Sequence, residues 1–188
     1  MGMNQTSPRV PPIPADKLND AQAKLIGAWS TLNFTRTIVR HPALYRVLIP
    51  LIEKVIPGSH LPPRDREILV LRALAVCDET YEAHHHIAIG QKAGLTDTEI
   101  AEAKKGGAKL APFEQMLVRA AEELVRDHGL SDATWKALAE RYDQVQLMEV
   151  PAVVGAFTLM AMLTKSLGIP LENTSVSETV LAELRQYS

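Results

Sequence analysis

From Leu18 to the end of the chain, apolar residues recur at intervals of three and four positions, and no stretch alternates apolar and polar residues over the length of a strand. The first spacing places apolar side chains on one face of an α-helix, whereas a half-buried strand requires the alternation. The pattern therefore predicts an all-α protein. Proline and glycine separate the predicted helices, which cover about residues 18–32, 33–39, 42–56, 62–77, 78–94, 96–105, 113–128, 132–141 and 144–167.

The last predicted helix, Gln144–Leu167, is apolar almost all round apart from Glu149 and Lys165. A helix with this pattern lies at the centre of a bundle or is shared with a second subunit. Its longest uncharged run, Val150–Thr164, is shorter than the roughly 20 residues that cross a bilayer. We therefore expect a buried helix and no membrane partner.

The composition suits a single globular domain. The chain has 188 residues, of which 46% are hydrophobic, and these can fill a sizeable core. Clustered prolines predict an extended arm at residues 1–15, followed by one helical domain at residues 16–188. A formal net charge of −2 argues against nucleic acid or anionic lipid as a partner. The single cysteine, Cys77, excludes an internal disulfide framework and a CxxC redox pair, and it indicates a cytoplasmic protein.

Three consecutive histidines, His84, His85 and His86, lie in one predicted helix beside acidic residues. Successive residues of an α-helix are rotated by about 100°, so the three imidazoles cannot converge on one atom. Glu79, Glu82 and His86 instead share one stripe of the helix, and the last two are i, i+4 neighbours. His84 and His85 are expected to be solvated or paired with local carboxylates.

Three interpretations of this stripe are open. The simplest is a surface ion pair between Glu82 and His86, because structural ion pairs outnumber catalytic ones. Partial burial would instead raise the pKa of the Glu82 carboxyl while a neighbouring imidazolium lowered it, and this competition suits proton transfer near neutral pH. The third is a metal site with Glu79 as an additional ligand. The sequence has no HExxH or comparable ligand spacing, so we predict no metal.

Residues 61–100, LPPRDREILVLRALAVCDETYEAHHHIAIGQKAGLTDTEI, resemble the carboxymuconolactone decarboxylase family, which includes the AhpD-like alkylhydroperoxidases. The elements that carry the resemblance are Arg66-Glu67, Tyr81-Glu82, His86 and the helix start AGLTDTEI. It extends over about residues 40–169 and includes QLMEVPAVVGAF. The resemblance implies an AhpD-like helical bundle with a central helical hairpin.

The peroxidase branch of that family has two cysteines three positions apart, and here Glu79 and Glu82 stand at those positions. The resemblance therefore implies a branch without thiol chemistry. It makes Glu67 the counterpart of the family's relay glutamate, Tyr81 of a relay histidine and His86 of the final histidine. Three groups that handle protons remain, and they imply acid–base catalysis without a metal or organic cofactor.

Such catalysis suits lactone decarboxylation, in which an enolate develops and a carbon atom is then protonated. We predict that His86, buffered by Glu82, is the acid. Tyr81 would donate to the oxyanion, and Glu67 would orient His86 or relay its proton. Because three carboxylates would repel an anionic substrate, at least one of them must be protonated or paired with a cation. The predicted substrate-binding residues are Arg40, His41, Arg66, Arg72 and Glu79.

The sequence thus predicts a carbon–carbon lyase or a related isomerase that acts on a small carboxylated or enolisable cyclic compound, as in the catabolism of aromatic compounds. One alternative is a hydroperoxide or thiol-dependent reductase, which the missing cysteine pair disfavours. Another is a non-catalytic protein that binds a ligand or an assembly partner. The resemblance also implies a homo-oligomer, a trimer or hexamer, with sites near the subunit interfaces.

Overall fold

The computed structural model describes residues 7–172, and the regular secondary structure in that range is entirely helical. The prediction of an all-α protein is confirmed. The α-helices are α1 (Asp20–Ile26), α2 (Asn33–Ile38), α3 (Pro42–Val55), α4 (Pro63–Val76), α5 (Tyr81–Lys92), α6 (Asp97–Lys105), α7 (Pro112–Asp127), α8 (Asp132–Ala139) and α9 (Gln144–Leu167). Two short 3-10 helices, Ala15–Lys17 and Gly27–Thr31, flank α1.

Helix α4 is the centre of the bundle and packs against α5, α6, α7 and α9. It begins at Pro63, a position where the missing N–H of proline costs no hydrogen bond. Because neighbours surround it, its central residues are buried on every side. The fully buried apolar residues of α4 are Ile68, Leu69, Val70, Leu71, Ala73 and Leu74.

Helices α4 and α5 form the central hairpin and are joined by residues 77–80. Asp78 turns the chain with a φ of 50°, a left-handed conformation that aspartate tolerates better than most residues. The carboxylate of Glu79 accepts the backbone N–H groups of the first three residues of α5 at 3.0, 2.9 and 3.2 Å. These bonds cap the helix, so α5 begins at Tyr81 and not near Asp78 as predicted.

Helix α9 has the predicted limits. Asp143 and Gln146 form a capping box at its start, and Gly168 takes the left-handed conformation that ends it. Within residues 7–172, α9 is the one helix whose length and mean hydropathy of 1.7 would allow it to cross a membrane, and 56% of that window is buried inside the fold. Such burial is typical of the core helix of a soluble protein.

One N-terminal prediction needs adjustment. The predicted helix at 18–32 is divided, because Gly27 adopts a φ of 51° and ends α1. The described part of the predicted arm is tied down, since the backbone N–H groups of Arg9 and Val10 donate to the Leu167 carbonyl at 2.9 and 3.1 Å. Residues 1–6 of the predicted arm and 173–188 of the predicted domain lie outside the described residues.

Candidate functional site

A cavity of about 80 Å³ lies between the central hairpin and the N-terminal helices. This is several times the space that one water molecule needs, so a small organic molecule can enter. Its walls are mainly apolar and include Trp29, Phe34, Ile49, Ile52, Ile89 and Met160. Four of the polar side chains that line it come from one helix, α5, and the others are Thr35 of α2 and Glu53 of α3. The four on α5 are Tyr81, Glu82, His85 and His86.

The predicted residues His86 and Glu67 meet at the base of this cavity. His86 Nδ1 lies 2.6 Å from Glu67 Oε2, and both side chains are fully buried. Arg66 Nε donates to the other carboxylate oxygen, Glu67 Oε1, at 2.9 Å. The imidazole also packs edge-on against Phe157, with ring centroids 4.6 Å apart. These contacts fix the plane of the ring.

The proton between His86 and Glu67 can be assigned from the charges around it. Burial alone would raise the pKa of Glu67, but His86 and Arg66 beside it lower that pKa below its ordinary value. Glu67 is therefore a carboxylate that only accepts hydrogen bonds, and His86 Nδ1 carries the shared proton. In the neutral form of the ring, Nε2 carries no proton and is the nitrogen that can act as a base towards a ligand. A carboxylate that holds an imidazole in one tautomer is a common arrangement for a general base.

Glu82 has the opposite character, although it lines the same cavity. Burial raises its pKa to about 8, and the nearby carboxyl groups of Glu79 and Glu172 contribute to this rise. The Glu82 carboxyl is therefore largely protonated at neutral pH. Among the described residues no ion pair or hydrogen bond joins it to His86, whose Nδ1 is occupied by Glu67. The predicted Glu82–His86 pair is wrong, because a buried carboxyl without a cation remains neutral.

Tyr81 is held on both sides of its hydroxyl group. The hydroxyl donates to Glu172 Oε1 at 2.6 Å and accepts the Phe34 N–H at 3.1 Å. Burial raises the pKa of Tyr81, and the carboxyl groups of Glu82 and Glu172 raise it further. Because its one proton is directed at Glu172, the predicted donation from Tyr81 to an oxyanion does not fit this geometry.

Arg40 and His41, predicted to bind substrate, lie at the surface and outside the cavity lining. Arg40 Nε donates to the Pro11 carbonyl at 3.0 Å. His41 Nδ1 accepts the Leu44 N–H at 3.2 Å and so caps the start of α3. Neither residue reaches the cavity of its own chain, so a part in substrate binding from a second subunit stays a prediction.

Arg66 and Arg72 are buried in α4, and neither lines the cavity. Arg66 neutralises Glu67, as described above. Arg72 binds the Glu122 carboxylate and the Lys104 carbonyl. Both guanidinium groups therefore hold the fold together, and the prediction that they bind substrate is not supported by their positions.

Glu79, the last predicted substrate-binding residue, is also engaged elsewhere. Besides capping α5, its carboxylate accepts the Thr164 hydroxyl at 2.8 Å. No lysine or arginine is among the cavity-lining residues in the described part of the chain. The only groups there that could face an anion with positive charge are the imidazoles of His85 and His86.

His85 and Glu172 were not predicted as site residues. His85 lines the cavity and is buried, so it is not solvated, and the carboxylate beside it is not a local one, because its Nε2 lies 3.2 Å from Oε2 of the distant Glu172. The sequence did contain one sign that His85 is buried. Tyr81, His85 and Ile89 are spaced i, i+4, i+8 on one face of the helix, and the residues on either side of His85 on that face are apolar. Nothing local points to Glu172, which lies beyond α9. His84 is exposed, in agreement with its prediction.

Comparisons with known proteins agree with this architecture. Residues 42–127 match the sequence profile of the Carboxymuconolactone decarboxylase family. No functionally curated protein matches the chain. Among solved structures, the alkylhydroperoxidase AhpD core of an uncharacterised peroxidase-related protein from Ralstonia eutropha JMP134 is 17% identical, with a TM-score of 0.75 over 92% of this chain and 95% of that chain.

Two further structures have the same fold. An uncharacterised peroxidase-related protein from Silicibacter sp. TM1040 is 15% identical, with a TM-score of 0.76 over 92% of this chain and 96% of that one. The debrominase Bmp8 in complex with 2,3,4-tribromopyrrole is 14% identical, with a TM-score of 0.71 over 98% of this chain and all of that one. The predicted AhpD-like fold is confirmed. Residues 42–127 thus resemble the carboxymuconolactone decarboxylase family, and the chain, with its single cysteine, has no CxxC pair.

Proposed function

We propose that this protein is an enzyme that moves protons on a small, enolisable ring compound, as an isomerase or a lyase that needs no cofactor. The observation that carries the proposal is the presence of two different buried acid–base groups at one apolar cavity. The Glu67–His86 pair supplies a base, and the raised pKa of Glu82 supplies a neutral acid. Environments that push two pKa values apart in this way are typical of acid–base catalysis.

In the proposed reaction, His86 Nε2 removes a proton from a ring carbon next to a carbonyl group. The electrons of the broken C–H bond move to the carbonyl oxygen, and neutral Glu82 stabilises the enolate by donating a hydrogen bond to that oxygen. Return of a proton from His86 to a different carbon completes an isomerisation. In a decarboxylation, departing carbon dioxide leaves the same enolate, which Glu82 or protonated His86 then protonates at carbon.

The charge of the cavity favours an uncharged substrate over a carboxylated one. Its walls are mainly apolar, and within residues 7–172 no lysine or arginine lines it. A carboxylate would have to lose its water shell for the imidazoles of His85 and His86 alone, which is costly unless one of them is protonated. A carbon–carbon lyase that acts on a carboxylated ring is therefore the more demanding form of the proposal, because it requires a protonated imidazole beside the carboxylate.

A small ring as ligand is also supported by the debrominase Bmp8, which has this fold and was crystallised with 2,3,4-tribromopyrrole. The alternative of a thiol-dependent reductase has less support. Cys77 is the only cysteine, does not line the cavity, and has a thiol pKa raised by burial, which disfavours the reactive thiolate.

We further propose that the enzyme is cytoplasmic and forms a homo-oligomer, a trimer or hexamer. Support comes from large apolar side chains at the surface of the two packed helices α3 and α9. Val47, Met148 and Met162 are all more than half exposed. Each would gain about 1.5–3 kcal/mol if a second subunit covered it completely.

Deuterium exchange tests the proposed chemistry without knowledge of the natural substrate. A panel of cyclic ketones, enones and lactones is incubated with the protein in deuterated water, and loss of ring proton signals is followed by NMR. We expect the unmodified protein to accelerate exchange for some of the panel, and the Glu67→Gln/His86→Asn double variant to remove this acceleration. Compounds that bind to the unmodified protein without faster exchange would favour the non-catalytic alternative.

A further inference from the structure

His85 is a buried polar side chain that lines the cavity. It is 4% exposed, and neither ring nitrogen has a hydrogen-bond partner among the described residues. Its Nε2 lies 3.2 Å from Glu172 Oε2, which is an ion-pair distance, but the two groups are not oriented for a hydrogen bond. Buried polar atoms are almost always paired, so an imidazole in this state calls for a partner.

The position of His85 indicates where that partner would sit. The ring lies edge-on to Tyr81, with centroids 5.0 Å apart, and belongs to the stripe of α5 that lines the cavity. His86 lines the same cavity from the next position of the helix. Because neighbouring positions are rotated by about 100°, the two imidazoles face different parts of one ligand and not the same atom.

Glu172 is firmly held beside His85. Its Oε1 accepts the Tyr81 hydroxyl and the Asn33 N–H, both at 2.6 Å, and Asn33 Nδ2 donates to the Pro170 carbonyl at 3.0 Å. Burial would raise the pKa of Glu172, but its contacts with His85, Tyr81 and Asn33 lower it. Glu172 is therefore a carboxylate that attracts a proton on the nearer nitrogen of His85.

We propose that His85 is a second ligand-binding imidazole of the cavity, that it binds a hydroxyl group on the ring compound, and that Glu172 is the residue that positions it. A rotation of the ring that directs a proton on Nε2 towards Glu172 would leave Nδ1 as a hydrogen-bond acceptor for a hydroxyl group of the ligand. The substrate class narrows to rings with a phenol-like or enol-like hydroxyl. The binding of a hydroxyl group by His85 does not depend on the proposed function. Only the reaction of the bound compound rests on it.

Phenol and methoxybenzene provide the test, because they share a ring but only phenol can donate a hydrogen bond. Dissociation constants for both are measured with the unmodified protein and with His85→Asn, Glu172→Gln and His84→Asn. We expect the unmodified protein to prefer phenol by about 5-fold or more. His85→Asn should abolish the preference, and Glu172→Gln should reduce it. His84→Asn is the matched control, since it changes the exposed neighbour, and should retain the preference.

Nitrogen NMR of the unmodified protein, labelled with ¹⁵N-histidine, keeps the test decisive if a variant does not fold. Phenol should shift the His85 ring signals, methoxybenzene should not, and His84 should respond to neither. The inference is overturned by undetectable binding of phenol, by unmoved His85 signals, or by a preference that survives His85→Asn. If phenol binds through His85 but the protein accelerates ring-proton exchange for no compound, only the proposed function is rejected. If exchange is accelerated but phenol does not shift the His85 signals, only this inference is rejected.

Discussion

Two histidine–glutamate pairs in this protein have similar geometry in opposite surroundings. His60 Nδ1 lies 2.8 Å from Glu149 Oε1, and His86 Nδ1 lies 2.6 Å from Glu67 Oε2. The His60 side chain is 63% exposed, whereas that of His86 is 2% exposed. A short distance between imidazole and carboxylate therefore does not by itself identify a functional pair, and the surroundings must decide.

The surroundings of Glu149 are those of a structural anchor. Its carboxylate also accepts Lys54 Nζ and Ser59 Oγ, each at 2.7 Å, and the His60 N–H at 2.6 Å. Burial would raise the pKa of Glu149, but these partners lower it to about 2. Every contact ties down the segment between α3 and α4. Glu67 has fewer partners, and the imidazole that it holds borders a cavity, so a proton on that ring can reach a ligand.

The largest expected effect separates these two pairs by activity. His86→Asn should lower the rate of ring-proton exchange by about 100-fold or more, because it removes the basic nitrogen. Glu67→Gln should cost about 10-fold to 100-fold, since the ring loses the carboxylate that sets its tautomer. The matched variant His60→Asn should leave the rate within about 2-fold, since its surface pair only supports a loop. Equal losses in His60→Asn and His86→Asn would remove the distinction between the pairs.

The second prediction separates the two regions by the pH dependence of stability. The pKa of Glu82 is raised from 4.5 to about 8, so the folded state holds a proton that the unfolded state has released between those values. The free energy of unfolding of the wild type should fall by about 1.4 kcal/mol per pH unit across this range, relative to Glu82→Gln. Urea denaturation of both proteins at several pH values measures this difference, and parallel curves would contradict it.

Glu149 provides the control of opposite sign. Its pKa is lowered from 4.5 to about 2, so the stabilisation that it supplies is present above 4.5 and is lost as the pH falls towards 2. Glu149→Gln should therefore be less stable than the wild type at neutral pH, with a difference that shrinks in acid. If the two substitutions changed the pH dependence of the free energy of unfolding in the same direction, burial and not the neighbouring charges would determine the pKa values of both carboxyl groups.

The fold was largely predictable because most of its helices begin and end with local signals. Thr96 and Glu99 form the capping box that the sequence indicates, and α9 has the predicted limits. The start of α5 was misplaced because its cap is Glu79, a residue type that belongs equally well inside a helix. Local pattern cannot separate a capping glutamate from a helical one.

The site was predictable only in part, because much of it is assembled from distant segments. The family resemblance pointed to Glu67 and His86, which lie on adjacent helices of the hairpin. Glu172 and the wall residue Trp29 lie outside residues 42–127, and neither carries a local motif. The sequence allowed for a pKa of Glu82 raised by burial but could not decide it, since that pKa depends on how deeply the residue is buried and on the carboxyl groups around it.

The third prediction extends the comparison from the cavity to the outer surface. Phe157 is buried against His86, so an interface between subunits on α9 has to use the exposed residues of that helix, such as Met162, which is 61% exposed. Met162→Glu should yield smaller species in sedimentation and a few-fold lower activity, because a charge opposes burial at an interface. Trp135→Glu changes an exposed apolar residue on α8, away from the cavity lining, and should leave assembly unchanged. A wild type that sediments as a fully active monomer would refute the proposed oligomer.

The smallest expected effect concerns the hairpin turn, where Cys77 lies outside both histidine pairs. Its thiol pKa is raised by burial, and its backbone carbonyl accepts Lys165 Nζ at 2.5 Å, a contact that survives replacement of the side chain. Cys77→Ala should therefore cost about 1 kcal/mol of stability and leave the exchange rate within about 2-fold, with or without a chelator. Loss of activity at unchanged stability would show that the thiol takes part in the chemistry, and loss on chelation that added zinc restores would revive the metal interpretation. Retained activity in both experiments would leave the buried imidazoles and carboxyl groups of the cavity as the source of catalysis.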